Sequence, residues 1–161
     1  MDQSVSTYVD VLIPPPDVTD DLPSVVDLDG ALHLAMWLEP LTPAPAFFAF
    51  LDGLGDLVFV ARPHLAPGHQ AWSHLSEWWV RLVDVASRVG AERAVVVVPH
   101  TEPHALPTEA MLASWRSLHR CARGTAVRLD DLIAFGPEHV ASLGVVTGMV
   151  APDWDGWCSP M

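Results

Sequence analysis

A run of four valines, Val95 to Val98, ends at Pro99 and opens into His100-Thr101-Glu102-Pro103-His104, after which a helical pattern begins at Thr108. Imidazole nitrogens and carboxylate oxygens are the donors that zinc takes. His100, Glu102 and His104 place three such side chains within five positions. If extended geometry carries past the strand, His100 and Glu102 project from the same side, and His104 completes the cluster. The C-terminal end of a central strand is a good place for a site, because the strand anchors the donors and the loop opens to solvent. Histidines and glutamates beside prolines are also ordinary solvated loop residues, so the cluster alone does not single out a metal.

The elements that must hold this loop can be read from periodicity and turn chemistry. Val95 to Val98, continued upstream to Arg93, suits a strand covered on both faces. Leu75, Trp79, Leu82, Val83 and Ala86 repeat at helical spacing, which predicts a helix over 76–89 with Ser76 as its cap and Gly90 past its end. Trp78 and Trp79 are adjacent, so one of them is expected at a boundary or interface. A second helix follows from Thr108, whose hydroxyl can cap it, through Leu112, Trp115, Leu118 and Ala122 to Gly124. Phe47 to Leu51 and Leu57 to Ala61 flank Asp52-Gly-Leu-Gly-Asp56, the pattern of an antiparallel hairpin. Residues 31–39, ALHLAMWLE, are read as a strand, although their leucines and methionine would also suit a short helix. Two further strands are expected over 127–134 and around 139–145. The order predicts an α/β fold in which a mixed β-sheet is flanked by helices.

Three parts follow from this pass: an acidic, proline-punctuated arm over 1–30, an α/β body over 31–150, and a tryptophan-containing tail over 151–161. Val9, Val11, Leu12 and Ile13 give the arm material for a short strand against the body.

Composition limits the chemistry. The chain of 161 residues carries 20 acids against 8 bases, a formal charge of −12, and every base is arginine. Without lysine, Schiff-base and P-loop chemistry are excluded. The net charge repels phosphate and argues against general nucleic-acid binding, yet leaves room for a local arginine patch. Residues 1–30 hold seven aspartates and no base, so much of the excess belongs to the arm. Two cysteines are too few for a disulfide framework, and neither a leader-like start nor a membrane-length apolar run is present. A cytoplasmic protein without membrane attachment is expected.

The segment around the valine strand resembles a family. Strand, His-x-His-Pro, proline-rich loop and Pro-Ser-Glu-Ala-Asp at a helix start is the pattern of RadC-like proteins, which share the JAB/MPN (JAMM) metalloprotease-like, cytidine-deaminase-like three-layer fold. Here the matching stretches are Ala94 to Val98, His100-Thr101-Glu102-Pro103 and Pro107-Thr108-Glu109-Ala110-Met111. The likeness extends upstream through FFAFLDGLGDLV and SEWWVRLVDVASRVGAERAVVVV, and downstream through VRLDDLIAFG and HVASLGVVTGMV.

The resemblance implies zinc held by two histidines and an aspartate, with an upstream glutamate as general base. Carried onto this chain, the first ligand is His100, the second falls on Glu102, and the third on Met111, a poor ligand for zinc. The loop is about two residues shorter than the family pattern. Thr108 keeps the hydroxyl associated with the developing oxyanion, Glu39 is the nearest upstream candidate for the base, and Asp131 stands where the family strand has histidine. The Asp130-Asp131 doublet is otherwise a pair of carboxylates without an identifiable partner. His33, expected on a strand, and His119, on a helix, read as structural, and His64, His69 and His74 as exposed.

These departures favour a degenerate metal site in a non-catalytic protein-interaction or regulatory module, with a protein partner and no bound cofactor. The rival expectation is a zinc-dependent peptidase or isopeptidase whose ligand set is rewired around His100, with Glu102 and His104.

Overall fold

A computed structural model describes residues 9–12, 25, 27–38, 45–65, 71–99, 108–136 and 140–149. Its centre is the valine strand, β4 (Arg93–Pro99), in which Ala94, Val96 and Val98 face one apolar core and Val95 and Val97 face another. Full burial on both sides is why Ala94 to Val98 are all apolar. β2 (Phe47–Leu51) pairs antiparallel with β4 on one side and with β3 (Leu57–Pro63) on the other, as the hairpin pattern predicts. At its turn, the Asp52 side chain accepts from the amides of Leu54 and Asp56, and Gly55 takes a φ of +90°.

The sheet is mixed. β5 (Arg128–Phe135) runs parallel to β4, β6 (Val140–Ser142) is antiparallel to β5, and β1 (Val9–Leu12) is antiparallel to β3, giving the order β1-β3-β2-β4-β5-β6. Part of the sequence read as an arm is therefore an edge strand.

Helices cover both faces. α2 (Leu75–Arg88) and α3 (Glu109–Ala122) lie on the face of Phe48, Phe50 and Val96, with Trp78, Trp79, Trp115 and Leu118 buried between them and the sheet. α1 (Leu28–Leu38) covers the opposite face, where Leu34 and Leu38 meet Phe47, Val95 and Ile133.

Several expectations are corrected. Residues 31–39 were expected as a strand, but their described part belongs to α1. Its buried positions Ala31, Leu34, Ala35 and Leu38 follow helical spacing, and the Asp27 carboxylate caps its start by accepting from the Gly30 amide at 2.9 Å. His33 accordingly lies on an exposed helical face. β6 stops at Ser142, whose hydroxyl accepts from the Val145 amide and starts the short helix α4 (Leu143–Thr147) in place of further strand. α2 starts one residue before Ser76. A 3-10 turn over Ala71–Ser73 leads into it, and His74 occupies the cap position without a side-chain cap bond.

Trp78 and Trp79 are both fully buried, against the expectation for one of them. Adjacent helical residues diverge by about 100°, and each indole finds a separate neighbour. Trp78 meets Phe48 edge-on and lies beside His74, while Trp79 packs on Phe50 and donates to the Thr125 hydroxyl. Gly90, at a φ of +102°, follows α2 as expected. Among the described residues, no helix is long and apolar enough to cross a membrane.

Candidate functional site

β4 delivers the chain to Pro99. His100, Glu102 and His104 follow it outside the described residues, as does Glu39 beyond the end of α1. The described part of the motif resumes at Thr108. This residue is extended, with φ −91° and ψ 166°, and its Oγ1 accepts from the Met111 amide at 3.2 Å. Its oxygen thus does the work of a helix cap, satisfying one of the amides that a first turn leaves unpaired. The hydroxyl proton is not consumed by that bond.

Met111, where the resemblance would place a third ligand, is 2% exposed and packs in the core shared by α2, α3 and the sheet. Thioether sulfur in an apolar interior is a packing group with little attraction for zinc. Among the described residues no group of three or more His, Cys, Asp or Glu is arranged to hold a metal ion.

The two adjacent carboxylates of β5 have partners that the sequence did not show. Ala94 pairs with Leu129 and Val95 with Asp131, so Asp130 is an extra residue at a β-bulge. The bulge breaks the alternation of sides. Leu129 and Leu132 stay on the α2–α3 face, while both aspartates meet groups of the α1 face: Arg93, which reaches Val25, and Ser142, which pairs with Ile133.

Asp130 is fully buried between two guanidinium groups. Arg93 Nε donates to one carboxylate oxygen at 2.6 Å and Arg128 Nε to the other at 2.7 Å. Arg93 also donates to the Val25 carbonyl at 2.8 Å, and the Val25 amide donates to the Gly55 carbonyl at 2.8 Å. Arg93 thereby ties the segment before α1 to the hairpin turn and to β5. Burial raises the Asp130 pKa above its ordinary value, against the opposing pull of Arg93 and Arg128.

Asp131 makes a second, separate knot. One oxygen accepts from the amides of Leu132, at 2.7 Å, and Gly144, at 2.9 Å, while the other accepts from the Ser142 hydroxyl at 2.5 Å. A carboxylate holding three donors is committed to a structural role.

No family model matches this chain, and no curated protein matches it.

The arrangement therefore brings the Asp130-Asp131 doublet into two structural networks and leaves neither carboxylate facing solvent. Acid–base work needs a carboxylate within reach of a substrate proton. Buried side chains already filled by protein donors do not offer it. His119 is half-buried on α3 against Trp115, and its pKa is lowered by burial and by the Arg123 charge. Among the described residues, one buried side-chain donor, Trp78 Nε1, has no hydrogen-bond partner. Sequence reasoning passed over Arg93 and Ser142. The signal for Ser142 was its place three residues before Val145, where a cap is favoured; for Arg93, a cation inside an apolar strand, which only a carboxylate partner makes tolerable.

Proposed function

We propose that this chain is a RadC/JAB-like domain with a degenerate metal site, acting in the cytoplasm as a non-catalytic protein-interaction or regulatory module. The observation that supports this reading best is the burial of Met111 in the apolar core, at the position where the resemblance asks for an aspartate on zinc. A divalent cation needs negative charge there, and a methionine packed among Trp115 and Leu118 supplies none. The α/β architecture, with helices on both faces of a mixed sheet, is compatible with the resemblance. An acidic N-terminal region and the tryptophans of the C-terminal tail, Trp154 and Trp157, add charged and aromatic material for a protein partner.

Metal analysis of the purified full chain tests the proposal. The expected result is no stoichiometric zinc and a melting temperature unchanged by chelator. Stoichiometric zinc that disappears in His100→Ala would overturn it and favour the rewired peptidase, with Glu102 and His104 as the next ligands to vary.

A further inference from the structure

Three of the chain's eight arginines, Arg116, Arg120 and Arg123, stand along the exposed side of α3. Arg81 pairs with Glu77, Arg88 with Asp84, and Arg93 and Arg128 share Asp130. Arg116, Arg120 and Arg123 are exposed and make no ion pair among the described residues. Their spacing of four and then three places them in a single row. The buried residues of α3, Met111, Trp115, Leu118 and Ala122, fall on another side of the helix, so the row faces away from the core. In a chain of net charge −12, three exposed cations in a row form the local arginine patch that composition left open.

The same chain holds matching charge. Asp17, Asp20 and Asp21 lie in a stretch of 30 residues without a base, just after Pro14-Pro15-Pro16, which favours extended backbone. At about 3.1–3.4 Å per residue, Asp17 and Asp20 are roughly 10 Å apart when extended. Arg116 and Arg123 are also about 10 Å apart along the axis of a helix rising 1.5 Å per residue.

The contact is between copies. Leu12 sits on the edge strand, four strand positions from β5, and Val25 belongs to the α1 face, opposite α3. Residues 13–24 join these two anchors and span at most about 43 Å fully extended. Reaching the outer side of α3 and returning would mean rounding the sheet edge, crossing the helical layer and coming back to the far face. We infer that the arginine row Arg116, Arg120 and Arg123 on α3 docks the Asp17-Asp20-Asp21 segment of a second copy of this chain. Exchanged reciprocally, two such contacts close a two-fold dimer and reinforce each other. The inference rests on the interaction-module reading and gives it a surface and a partner.

Sedimentation velocity on the full chain tests it. Association is expected at low salt and is lost as salt screens the pairs. Arg116→Glu/Arg120→Glu/Arg123→Glu weakens it by roughly tenfold or more, as three lost surface pairs require. Asp17→Arg/Asp20→Arg/Asp21→Arg does the same, and combining both sets in one chain restores association. Far-UV circular dichroism confirms that each variant is folded.

A chain that stays monomeric at low salt and high concentration overturns the inference. So does association indifferent to either reversal, or a combined variant that fails to recover. Arginine-dependent binding of a single-stranded DNA oligomer without self-association overturns it too. None of these outcomes bears on the zinc measurement, so the failure of the docking contact and the failure of the interaction-module reading are told apart.

Discussion

The Ser142 hydroxyl donates to the buried Asp131 carboxylate at 2.5 Å while accepting from the Val145 amide at 3.1 Å. A single side chain thereby ends β6, starts α4 and helps satisfy a carboxylate inside the sheet. Asp131, at the position where the resemblance has a histidine, is the hub of this structural hydrogen-bond network.

Removing the hydroxyl leaves a buried carboxylate short of one donor and α4 without its cap. Ser142→Ala is expected to destabilise the protein by about 1.5–3 kcal/mol, the range for a hydrogen bond to a charged group. Urea denaturation followed by tryptophan fluorescence measures it. A loss within 0.5 kcal/mol, the range of ordinary surface substitutions, would mean that water replaces the hydroxyl.

Arg93 and Asp130 form the other buried knot, and breaking it from one side is costly. Arg93→Met leaves the Val25 carbonyl without its donor and Asp130 with Arg128 alone, an expected loss of about 3–5 kcal/mol. The double variant Arg93→Met/Asp130→Leu is expected to recover part of that loss, because no half-neutralised charge remains buried. A double-mutant cycle reads the coupling, and strict additivity of the two single losses would refute it.

Met111 separates packing from metal chemistry. Met111→Leu conserves volume and should cost less than about 1.5 kcal/mol. Met111→Asp puts a carboxylate among Trp115 and Leu118 and should lose several times more, by the cost of burying an unpaired charge. If Met111→Asp instead folds at full stability and takes up zinc, the core assignment of this side chain fails.

His119 sets a pH dependence of known sign. Its folded pKa lies below 6.5, so the folded protein binds fewer protons than the unfolded chain between that pKa and 6.5. Stability from this group is therefore full above pH 6.5 and is lost as pH falls through the folded pKa. His119→Gln should flatten that part of the stability profile. Arg123→Gln removes the neighbouring charge, and the His119 midpoint followed by NMR should move up towards 6.5.

Much of the frame could be read from local pattern. The hairpin across Asp52 to Asp56, the doubly buried valine strand, the Thr108 cap and Gly90 after α2 each express a preference that a few neighbouring residues carry unaided. Where two patterns compete in a short apolar run, the sequence could mislead. Residues 31–39 suit strand and helix alike, and the choice falls to α1 because its apolar stripe covers the second face of the sheet and Asp27 caps its start.

The sequence by itself determined the lysine-free chemistry, the concentration of aspartate before residue 30, the close spacing of His100, Glu102 and His104, and a methionine at position 111, where the resemblance asks for aspartate. Only the tertiary structure decided what Asp130 and Asp131 do. Their partners Arg93, Ser142 and Gly144 lie 37, 11 and 13 positions away in sequence, and a one-residue bulge gives both carboxylates partners on the α1 face. Periodicity reports the side on which a residue should fall. Whether its charge meets a partner there depends on strand register and packing between distant segments, which no local pattern encodes.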